Sequence, residues 1–511
     1  MSEPREIELK LQAEPSDLAR LQEHPLLQHA TQDETVLTAA YFDTDDQRLR
    51  NAGYSLRVRR QDGRHVQNAK AEGDGLIERS EWEQEVAGDA LDREALARTP
   101  LAALLQGAEP RRRFSVVVER TTYLVEQGQS RIEVALDRGR IETTEAGTTA
   151  LPVCEIELEL KSGEAADVFA LAHAVATLVP LRLGVLSKAE RGYRLTEDGV
   201  AQVRKSEPVP VREDMPAAGA FRAVAHACLR HMRQNEDILL EGRNADALHQ
   251  MRVAVRRLRS AFSLFGDLVA DPQGDRLRAD LKRLTEPLGR ARNLDVFLSA
   301  TLPAERERHP DEPGLLNLEK HLEAQRTEAY EAVQAMLRSD EWRTLILDLV
   351  AWINVGPWLR AEDPDTVQRL RQPASDFAAN VLDRRRRQVK RRGRDLDRLS
   401  PEERHQVRIA AKKLRYGAEF FAGLYTGRKA AKRHKAFVKA LSELQDHLGE
   451  LNDIATGHEL LDDLAGADLR AASTLFAAGV TAADLESRTR KLLSAAAEAH
   501  EELLDLKPFW R

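Results

Sequence analysis

The sequence predicts an α+β protein in which an N-terminal domain of antiparallel β-strands is followed by an all-α domain made of two duplicated helical bundles. Residues 1–200 repeatedly alternate polar and apolar side chains, as half-buried strands do, whereas later residues show the longer spacing of helices. A helical segment of the second half recurs at an offset of 156 residues. The formal charge also differs: it is −11 for residues 1–200 (25 basic, 36 acidic) and +4 for the rest (52 and 48), which sum to the net −7.

The length of 511 residues is enough for two or three domains that each bury a core. A polar, proline-containing segment from Asp198 to Gly219 separates the two patterns and is typical of a linker. We therefore predict a first domain over residues 1–200, a linker over residues 201–216 and a helical domain over residues 217–505.

Three features favour a cytoplasmic location. The chain begins MSEPREIELK, with charges where a signal peptide needs an apolar run of about 7 to 15 residues. The most apolar later stretch, Leu345 to Leu359, contains Asp348 and Pro357 and is shorter than the roughly 18 residues that span a bilayer. The two cysteines have no metal-ligand spacing. We predict no membrane partner and no disulfide framework.

Charged residues of both signs follow the strand period in the first domain. Strand geometry sends Glu6, Glu8 and Lys10 to one face and the apolar residues between them to the other. A solvated face explains any single strand of this kind. Five such strands, with acids and bases concentrated on few positions, favour an enclosed charged interior. The other four carry Arg57 and Arg59; Glu81 and Glu83; Arg131, Glu133 and Asp137; and Glu155, Glu157, Glu159 and Lys161.

An interior of this kind predicts a charged ligand, because buried ions must be paired or coordinated to metal. Paired carboxylates suit a hard divalent cation, whereas Arg and Lys side chains suit phosphate oxygens. A metal-bound polyphosphate is a ligand that requires both.

The first domain resembles the CYTH family of triphosphate tunnel metalloenzymes over about residues 3–200. The resemblance lies in an ordered set of motifs and not in the Glu-x-Glu-x-Lys signature alone. It implies an eight-stranded antiparallel β tunnel with flanking helices, which hydrolyses inorganic triphosphate to pyrophosphate and phosphate. The motifs are Glu6-Ile7-Glu8-Leu9-Lys10, Arg57-Val58-Arg59, Lys70, Glu81 before Trp82, Arg120, Asp137, Glu155-Ile156-Glu157-Leu158-Glu159, Ser187-Lys188 and Arg191-Gly192-Tyr193.

The resemblance also implies a role for each charged position. The triphosphate would be held by Lys10, Arg57, Arg59, Lys70, Arg120, Lys188 and Arg191. One or two Mg²⁺ or Mn²⁺ ions would be held by Glu6, Glu8, Asp137, Glu157 and Glu159. The catalytic set would be Glu6, Glu8, Lys10, Glu81, Glu157 and Glu159. Relatives often carry threonine two residues before the tunnel lysine, where this chain has Asn68. The hydrogen bond that this position makes is therefore left open. The roles of Glu133 and Glu155 are left open too, since these carboxylates can equally balance the charge of neighbouring arginines.

The second half contains one basic helix twice. His249-Gln250-Met251-Arg252-Val253-Ala254-Val255-Arg256-Arg257-Leu258-Arg259 recurs as His405-Gln406-Val407-Arg408-Ile409-Ala410-Ala411-Lys412-Lys413-Leu414-Arg415. In each copy the histidine and two cations share one helix face. A run from Arg384 to Arg394 adds eight basic residues among eleven. Cations so dense repel one another unless a polyanion neutralises them.

This half resembles the CHAD family over about residues 217–505, because the mark of that family is a His-x-x-Arg helix with following cations. CHAD relatives are all-helical, are associated with binding of inorganic polyphosphate and often follow a CYTH domain. Nucleic acid is the main rival polyanion, but aromatic residues make up only 5% of the chain and none interrupts the basic runs, which disfavours base stacking. The implied polyphosphate ligands are His249, Arg252, Arg256, Arg257, Arg259, His405, Arg408, Lys412, Lys413 and Arg415.

Two other functions are compatible with the sequence. The tunnel could cleave an organic triphosphate, such as thiamine or nucleoside triphosphate, or act as an adenylyl cyclase, although no aromatic-rich pocket for a ring is evident. Alternatively, the protein could be a non-enzymatic polyphosphate scaffold. The carboxylates of the tunnel disfavour a scaffold, because anion binding alone would not need them.

Overall fold

The computed structural model of the chain describes residues 5–28, 30–73, 75–143, 150–197, 202–466 and 472–511, with side chains throughout except at residue 5 and residues 456–488. The chain divides into two compact units. The first, here called the barrel unit, comprises Met1–Gln202 and Ser339–Val355. The second, the helical unit, comprises Val203–Arg338 and Gly356–Arg511.

Strands and short helices alternate in the first two hundred residues, and helices follow. The first elements are β1 (Arg5–Gln12), α1 (Pro15–Gln22), α2 (Pro25–Gln28), β2 (Thr31–Asp43), α3 (Arg48–Asn51), β3 (Tyr54–Gln61), β4 (Arg64–Ala71), β5 (Glu78–Val86), α4 (Arg93–Ala97), α5 (Leu101–Leu105), β6 (Arg111–Gln127), β7 (Ser130–Thr143), β8 (Ala150–Ser162), α6 (Ala165–Ala176), β9 (Arg182–Leu183) and α7 (Lys188–Glu197). The later helices are α8 (Ala217–Glu241), α9 (Ala245–Leu264), α10 (Pro272–Leu284), α11 (Glu286–Val296), α12 (Leu302–Arg308), α13 (Gly314–Arg338), α14 (Asp340–Val355), α15 (Pro364–Arg371), α16 (Ala374–Arg392), α17 (Pro401–Phe420), α18 (Arg428–Gly466) and α19 (Ala472–Asp505).

Eight strands of the barrel unit close into an antiparallel barrel. Neighbouring strands follow the order β5-β4-β3-β2-β6-β7-β8-β1, and β1 pairs with β5 to close the sheet. The two-residue strand β9 adds to β1. This architecture confirms the eight-stranded tunnel that the sequence predicts.

The pairing register places charged residues opposite one another inside the barrel. Lys10 lies opposite Glu157, and Arg120 lies opposite Asp137. Because alternate strand residues point to opposite faces, the apolar residues between them, such as Leu158, face outward. Helix α6 packs on β8 there, so Leu158 is fully buried.

Helix α7 fills one end of the barrel interior with apolar side chains. Tyr193 packs edge-on against Phe114 of β6 with 5.2 Å between ring centroids, and Phe114 stacks on Tyr41 of β2. A Cβ atom at Gly192 would lie 2.1 Å from the Phe114 ring, so only glycine fits there. The start of α7 thereby brings Lys188 to the charged part of the interior.

Helix α14 belongs to the barrel unit although it lies within the range predicted for the helical domain. It packs against α6 and β9. Its side chains Trp342, Leu349 and Ile353 are fully buried. Neither α14 nor any other described helix combines the length and apolarity needed to cross a membrane.

The helical unit brings its two copies of the repeated helix into contact. Helix α9 begins after the capping residue Asn244, and α17 begins after a capping box at Ser400. The two helices pack against each other. Phe265 and Phe421, which the repeat relates, meet with 5.6 Å between ring centroids, and Phe265 also stacks on Phe377.

The segment predicted as a linker packs on the helical unit. Val209 and Val211 are buried, and the Arg204 backbone N–H donates to the Asn235 side chain at 3.1 Å. The predicted boundary between residues 200 and 201 lies outside the described residues, and the domain boundaries remain predictions.

Candidate functional site

Glu157 lies at the centre of the charged interior. Its carboxylate accepts hydrogen bonds from Lys10 Nζ at 2.8 Å, from Lys188 Nζ at 3.0 Å and from Arg120 Nη2 at 2.5 Å. Burial raises the pKa of Glu157, but the charges of Lys10, Lys188 and Arg120 outweigh burial and hold the pKa well below its usual range. Glu157 is therefore ionised, and cations from β1, β6 and α7 fix its position.

Three carboxylates converge around the Lys188 ammonium. Lys188 Nζ lies 2.6 Å from Asp137 and also contacts Glu155 and Glu157. Arg120 donates two hydrogen bonds to Asp137, at 2.6 and 2.7 Å. Oxygens of Asp137, Glu155 and Glu157 all lie within 4.8 Å of one another, an arrangement that could hold a metal ion. In this structure the ammonium provides the positive charge between them.

A second ion network joins β1, β4 and β5. Lys70 Nζ lies 2.9 Å from carboxylate oxygens of both Glu6 and Glu81. Asn68 donates to Glu81 and, at 2.9 Å, to Glu83. The sequence left the bonding of Asn68 open, and the structure shows that its amide supports the predicted catalytic residue Glu81.

Arg57 and Arg59 point into the barrel from β3 with unused hydrogen-bonding capacity. Arg57 donates to the Tyr41 hydroxyl at 3.3 Å, and Arg59 lies 3.5 Å from Glu83. Within the described part of the chain, the buried Nε atoms of both arginines have no hydrogen-bond partner. The positive charge of Arg57, together with burial, lowers the pKa of Arg59. Adjacent guanidinium groups with free N–H donors suit a phosphate group.

The carboxylates Glu6, Glu8 and Glu159 each lie beside one lysine, which is Lys70, Lys10 and Lys161 respectively. Glu8 faces Glu159 across the β1–β8 pairing, and one buried oxygen of Glu8 has no hydrogen-bond partner among the described residues. Burial raises the pKa of Glu159, and the charges of Glu6 and Glu133 act in the same direction, although Lys161 opposes them. Oxygen donors with an unused lone pair fit a hard cation such as Mg²⁺ or Mn²⁺.

The predicted tunnel residues occupy one barrel interior, but the predicted metal ligands form two groups. Asp137 and Glu157 converge with Glu155, whereas Glu8 faces Glu159 across the β1–β8 pair and Glu6 lies two residues earlier on β1, opposite Arg79 of β5. Glu155 was left open in the sequence analysis, yet it is buried and paired with both Lys188 and Arg191. Its alternation with Glu157 and Glu159 was the signal that pointed to it.

Basic residues of both helix copies meet at the contact between α9 and α17. We call this set the central basic cluster: His249, Arg252, Arg256, Arg408 and Lys412. Burial lowers the pKa of Lys412 to about 6, and the charges of Arg408 and Arg256 add to the effect. Burial likewise lowers the pKa of Arg252 to about 10, with Arg256 and Arg292 contributing.

The arginines of the central basic cluster lack partners for part of their guanidinium groups. The Nε atoms of Arg252, Arg256 and Arg408 are buried, and the described residues provide no hydrogen-bond partner for them. Arg252 is nevertheless fixed in place, because its Nη1 donates to the Leu288 carbonyl at 2.8 Å. The cluster is therefore a partly desolvated, preorganised set of cations that an anion would stabilise.

The other predicted polyphosphate ligands lie outside the central basic cluster, and Arg257 is already paired with a carboxylate. Arg257 is buried, donates to Glu419 at 2.6 Å and lies 4.8 Å above the Phe420 ring, because its position on α9 faces α17. Arg415 is shared between Glu419 and Ser442. His405 is exposed and contacts Asn452, while Arg259 is exposed and Lys413 is half-buried.

The fold and site define a two-part protein: an antiparallel β tunnel with a charged interior, and a duplicated helical module with a shared basic cluster. Residues 4–193 match the CYTH domain family, and residues 223–462 match the CHAD domain family. The chain therefore contains a CYTH domain followed by a CHAD domain.

Two known proteins illustrate the similarity. An inorganic triphosphatase of Haemophilus influenzae is 33% identical over 207 residues, which are 37% of this chain and 55% of that protein. The chain thus spans about half the length of that relative. The crystal structure of the CHAD domain from the plant Ricinus communis is 31% identical with a TM-score of 0.51, and it covers 59% of this chain and 96% of that one.

Proposed function

We propose that the barrel hydrolyses inorganic triphosphate to pyrophosphate and phosphate, and that the helical unit binds long-chain inorganic polyphosphate. The observation that carries the first part is the enclosed interior, which holds ionised carboxylates beside arginines with unused N–H donors. A substrate that needs both divalent cations and phosphate-binding side chains matches that combination. The similarity to the H. influenzae enzyme supports this reading.

Binding and positioning account for most of the proposed chemistry, because phosphoryl transfer depends on charge neutralisation and alignment. Arg57 and Arg59 would bind phosphate oxygens through their free N–H groups. Lys10, Lys70 and Lys188 each contact two or more carboxylates. Each lysine can therefore exchange one carboxylate for a phosphate oxygen without losing all its partners.

Glu6, Glu8 and Glu159 would hold a Mg²⁺ or Mn²⁺ ion in the proposed reaction. The ion would polarise the phosphoryl group and favour ionisation of the attacking water. Asp137, Glu155 and Glu157 would become available to a second ion only when Lys188 turns toward the substrate. Glu81, which Asn68 and Lys70 hold in place, would accept a hydrogen bond from the attacking water.

Replacing Arg57 with alanine is expected to raise the KM for triphosphate about ten- to a hundredfold, since a hydrogen bond to a charged group contributes about 1.5 to 3 kcal/mol. The effect on kcat should be smaller, because Arg57 contacts phosphate in the ground state as well as the transition state. Arg60→Ala is the matched control, as Arg60 is the exposed arginine of the same strand. Equal KM values for the two variants would remove Arg57 from the substrate site.

The helical part of the proposal rests on the central basic cluster. Both copies of the repeated helix contribute to it, so a flexible chain of phosphates can contact cations from two helices at once. Multiple contacts of this kind release counterions and make binding strongly salt-dependent. We also place the protein in the cytoplasm, since the sequence predicts no disulfide framework.

Polyphosphate affinity is expected to rise as the pH falls from 8 to 6. Lys412 has a pKa of about 6 among Arg408, Arg256, Arg415 and Arg252, so it is mostly neutral at pH 8. A bound polyanion favours the ammonium form, and binding therefore takes up a proton. The affinity should change by up to about tenfold per pH unit between the free and bound pKa values.

The test of this pH dependence is calorimetry with long-chain polyphosphate at pH 6, 7 and 8. Lys412→Arg should flatten the profile, because the arginine stays charged throughout. Both proteins should carry His249→Gln and Asp453→Asn, so that neither the half-buried histidine, whose pKa burial lowers to about 4, nor the carboxyl beside Lys412, whose pKa burial raises, contributes. A slope that survives in the arginine variant would exclude Lys412 as its source.

A further inference from the structure

Helix α7 brings two of the predicted substrate-binding residues into the barrel. Lys188 is its first residue and contacts Asp137, Glu155 and Glu157. Arg191, one helical turn later, lies 3.3 Å from Glu155. The position of α7 therefore decides where both cations lie in the charged interior.

Apolar packing alone does not fix α7 sharply in one position. Its residues Ala189, Tyr193 and Leu195 are buried in a core that also contains Phe114. Hydrophobic contacts have no preferred direction, whereas a hydrogen bond weakens steeply when its atoms are displaced. A buried hydrogen bond from this helix is therefore the contact that defines its position most closely.

Tyr193 makes such a hydrogen bond. Its hydroxyl donates to the Asp43 carboxylate at 2.9 Å, and both side chains are buried. Burial raises the pKa of Tyr193, and the charge of Asp43 acts in the same direction, so the hydroxyl keeps its proton. A hydrogen bond to a charged acceptor, sheltered from water, is stronger than one between neutral groups.

Asp43 is a fixed acceptor, because the chain that follows it supplies three more donors. Its carboxylate accepts the backbone N–H groups of Thr44, Leu49 and Arg50 at 2.7, 3.0 and 3.1 Å. Leu49 and Arg50 belong to α3, and Asp43 is the last residue of β2. Asp43 thus joins β2, α3 and α7 at one point.

Arg50 of α3 adds a second connection to α7. Its guanidinium lies 5.0 Å from the centre of the Tyr193 ring, and it donates to Glu197, the last residue of α7, at 3.1 Å. Arg50 and Glu197 are partly exposed, so water and salt weaken their interaction. The bond between Tyr193 and Asp43 is the part of this contact that is sheltered from solvent.

We propose that Tyr193 is a positioning residue for triphosphate hydrolysis, which acts through α7 on Lys188. The inference rests on the hydrolysis proposed for the barrel. Tyr193 lies five residues after Lys188, about 7.5 Å along the helix axis, and the backbone hydrogen bonds of the helix transmit a displacement over that distance. A misplacement of about 1 Å can lower turnover about a hundredfold.

The test removes only the hydroxyl, with Tyr193→Phe in the full-length protein. The ring keeps its packing against Phe114, and Asp43 keeps its three backbone donors, so the fold should persist. The matched control is Tyr123→Phe, since Tyr123 is a buried tyrosine on the outer face of β6. The kcat and KM for triphosphate are measured at saturating Mg²⁺ and well below the Tm of each variant.

Tyr193→Phe should lower kcat about tenfold, the lower range for loss of a hydrogen bond to a charged group, and it should leave KM nearly unchanged. The KM should persist because Arg57 and Arg59 bind phosphate from β3 in the proposed reaction. Tyr123→Phe should match the wild type. Wild-type kcat in Tyr193→Phe would overturn the positioning role.

A second background separates positioning from a structural role. In Lys188→Gln protein, Tyr193→Phe should change kcat less than about twofold, because two residues that act through one group are not additive. A structural role would lower kcat by the same factor in both backgrounds, and that result would overturn the proposal.

Binding of Mn²⁺ without substrate is the deciding measurement if Lys188→Gln is too slow to assay. A less firmly placed Lys188 competes less well for Asp137, Glu155 and Glu157. Calorimetry should therefore show Mn²⁺ binding about fivefold tighter in Tyr193→Phe than in Tyr123→Phe, at the lower end of typical coupling between two sites. Equal affinities would contradict an effect on Lys188.

These outcomes are separable from failure of the proposed function. If the wild type and Tyr123→Phe both fail to hydrolyse triphosphate, the proposed reaction is wrong and the positioning role falls with it. If both hydrolyse it and only Tyr193→Phe is slower, with the loss confined to proteins that retain Lys188, the two proposals stand together.

Discussion

Glu157→Gln is expected to lower the kcat for triphosphate hydrolysis about 100- to 1000-fold, the range found when one electrostatic element of a preorganised site is removed. Glu157 is the carboxylate that holds Lys10, Lys188 and Arg120 together in the barrel interior. A neutral amide cannot hold all three cations or bind a divalent ion with comparable strength. Phosphate release at saturating triphosphate and Mg²⁺ measures the effect.

The fold should survive this change, because each displaced cation keeps another partner. Lys10 retains Glu8, while Lys188 and Arg120 both retain Asp137. Glu119→Gln is the control, since Glu119 is exposed on β6 and next to Arg120 in the sequence. Thermal unfolding should give similar Tm values for the two variants. Wild-type kcat in Glu157→Gln would show that the centre of the charged interior takes no part in turnover.

Charge reversal of the central basic cluster is expected to eliminate binding of long-chain polyphosphate. The variant replaces Arg252, Arg256, Arg408 and Lys412 by glutamate, which turns four attractive contacts into repulsive ones. A loss of roughly a thousandfold or more is expected, because proteins that neutralise several phosphates bind mainly through this electrostatic contribution. Binding is measured in the full-length protein, because α14 packs with the barrel unit and a truncated chain would expose its apolar face.

The control for this variant reverses four exposed cations at the start of α18, namely Arg428, Lys429, Lys432 and Lys435. Glutamate is tolerated near a helix N-terminus because of the helix dipole, so that variant should fold. It should retain most of the polyphosphate affinity, and both variants should retain triphosphate hydrolysis. Similar losses in the two variants would indicate that overall charge, and not the central cluster, determines binding. Preference of the wild type for RNA or duplex DNA at equal phosphate concentration would contradict the polyphosphate assignment.

Sequence periodicity was sufficient to predict which strand faces carry the charges, whereas the closed eight-stranded barrel was implied by the resemblance to the CYTH family. Strand alternation places Glu6, Glu8 and Lys10 on one face, and the structure shows that face lining the tunnel. The same rule applies to Glu155. Glu157 and Glu159, which follow it on the same strand face, were both predicted as metal ligands. The role of Glu155 stayed open because alternation gives the face of a residue but not its partner. The pairing with Lys188 depends on α7, which reaches the interior only through tertiary packing.

Helical spacing predicted the basic faces of α9 and α17 but not which of their cations point toward the partner helix. A helical period cannot show that Arg257 points into the contact between the two helices and binds Glu419. It also cannot show that Arg252 and Arg256 of one copy lie beside Arg408 of the other. Both facts follow from the crossing of two helices, which is a long-range property. The association of α14 with the barrel unit is long-range in the same sense.

The most direct test of the central claim is a phosphate-release assay that compares inorganic triphosphate, ATP, thiamine triphosphate and long-chain polyphosphate, each with and without Mg²⁺. A tunnel that combines paired carboxylates with arginines should hydrolyse inorganic triphosphate with the highest kcat/KM. It should lose that activity when Mg²⁺ is chelated, and it should release pyrophosphate and phosphate in equal amounts. A higher kcat/KM for ATP or thiamine triphosphate would contradict the assignment of the substrate. No hydrolysis of any of the four with Mg²⁺ or Mn²⁺ would contradict enzymatic function in the barrel altogether.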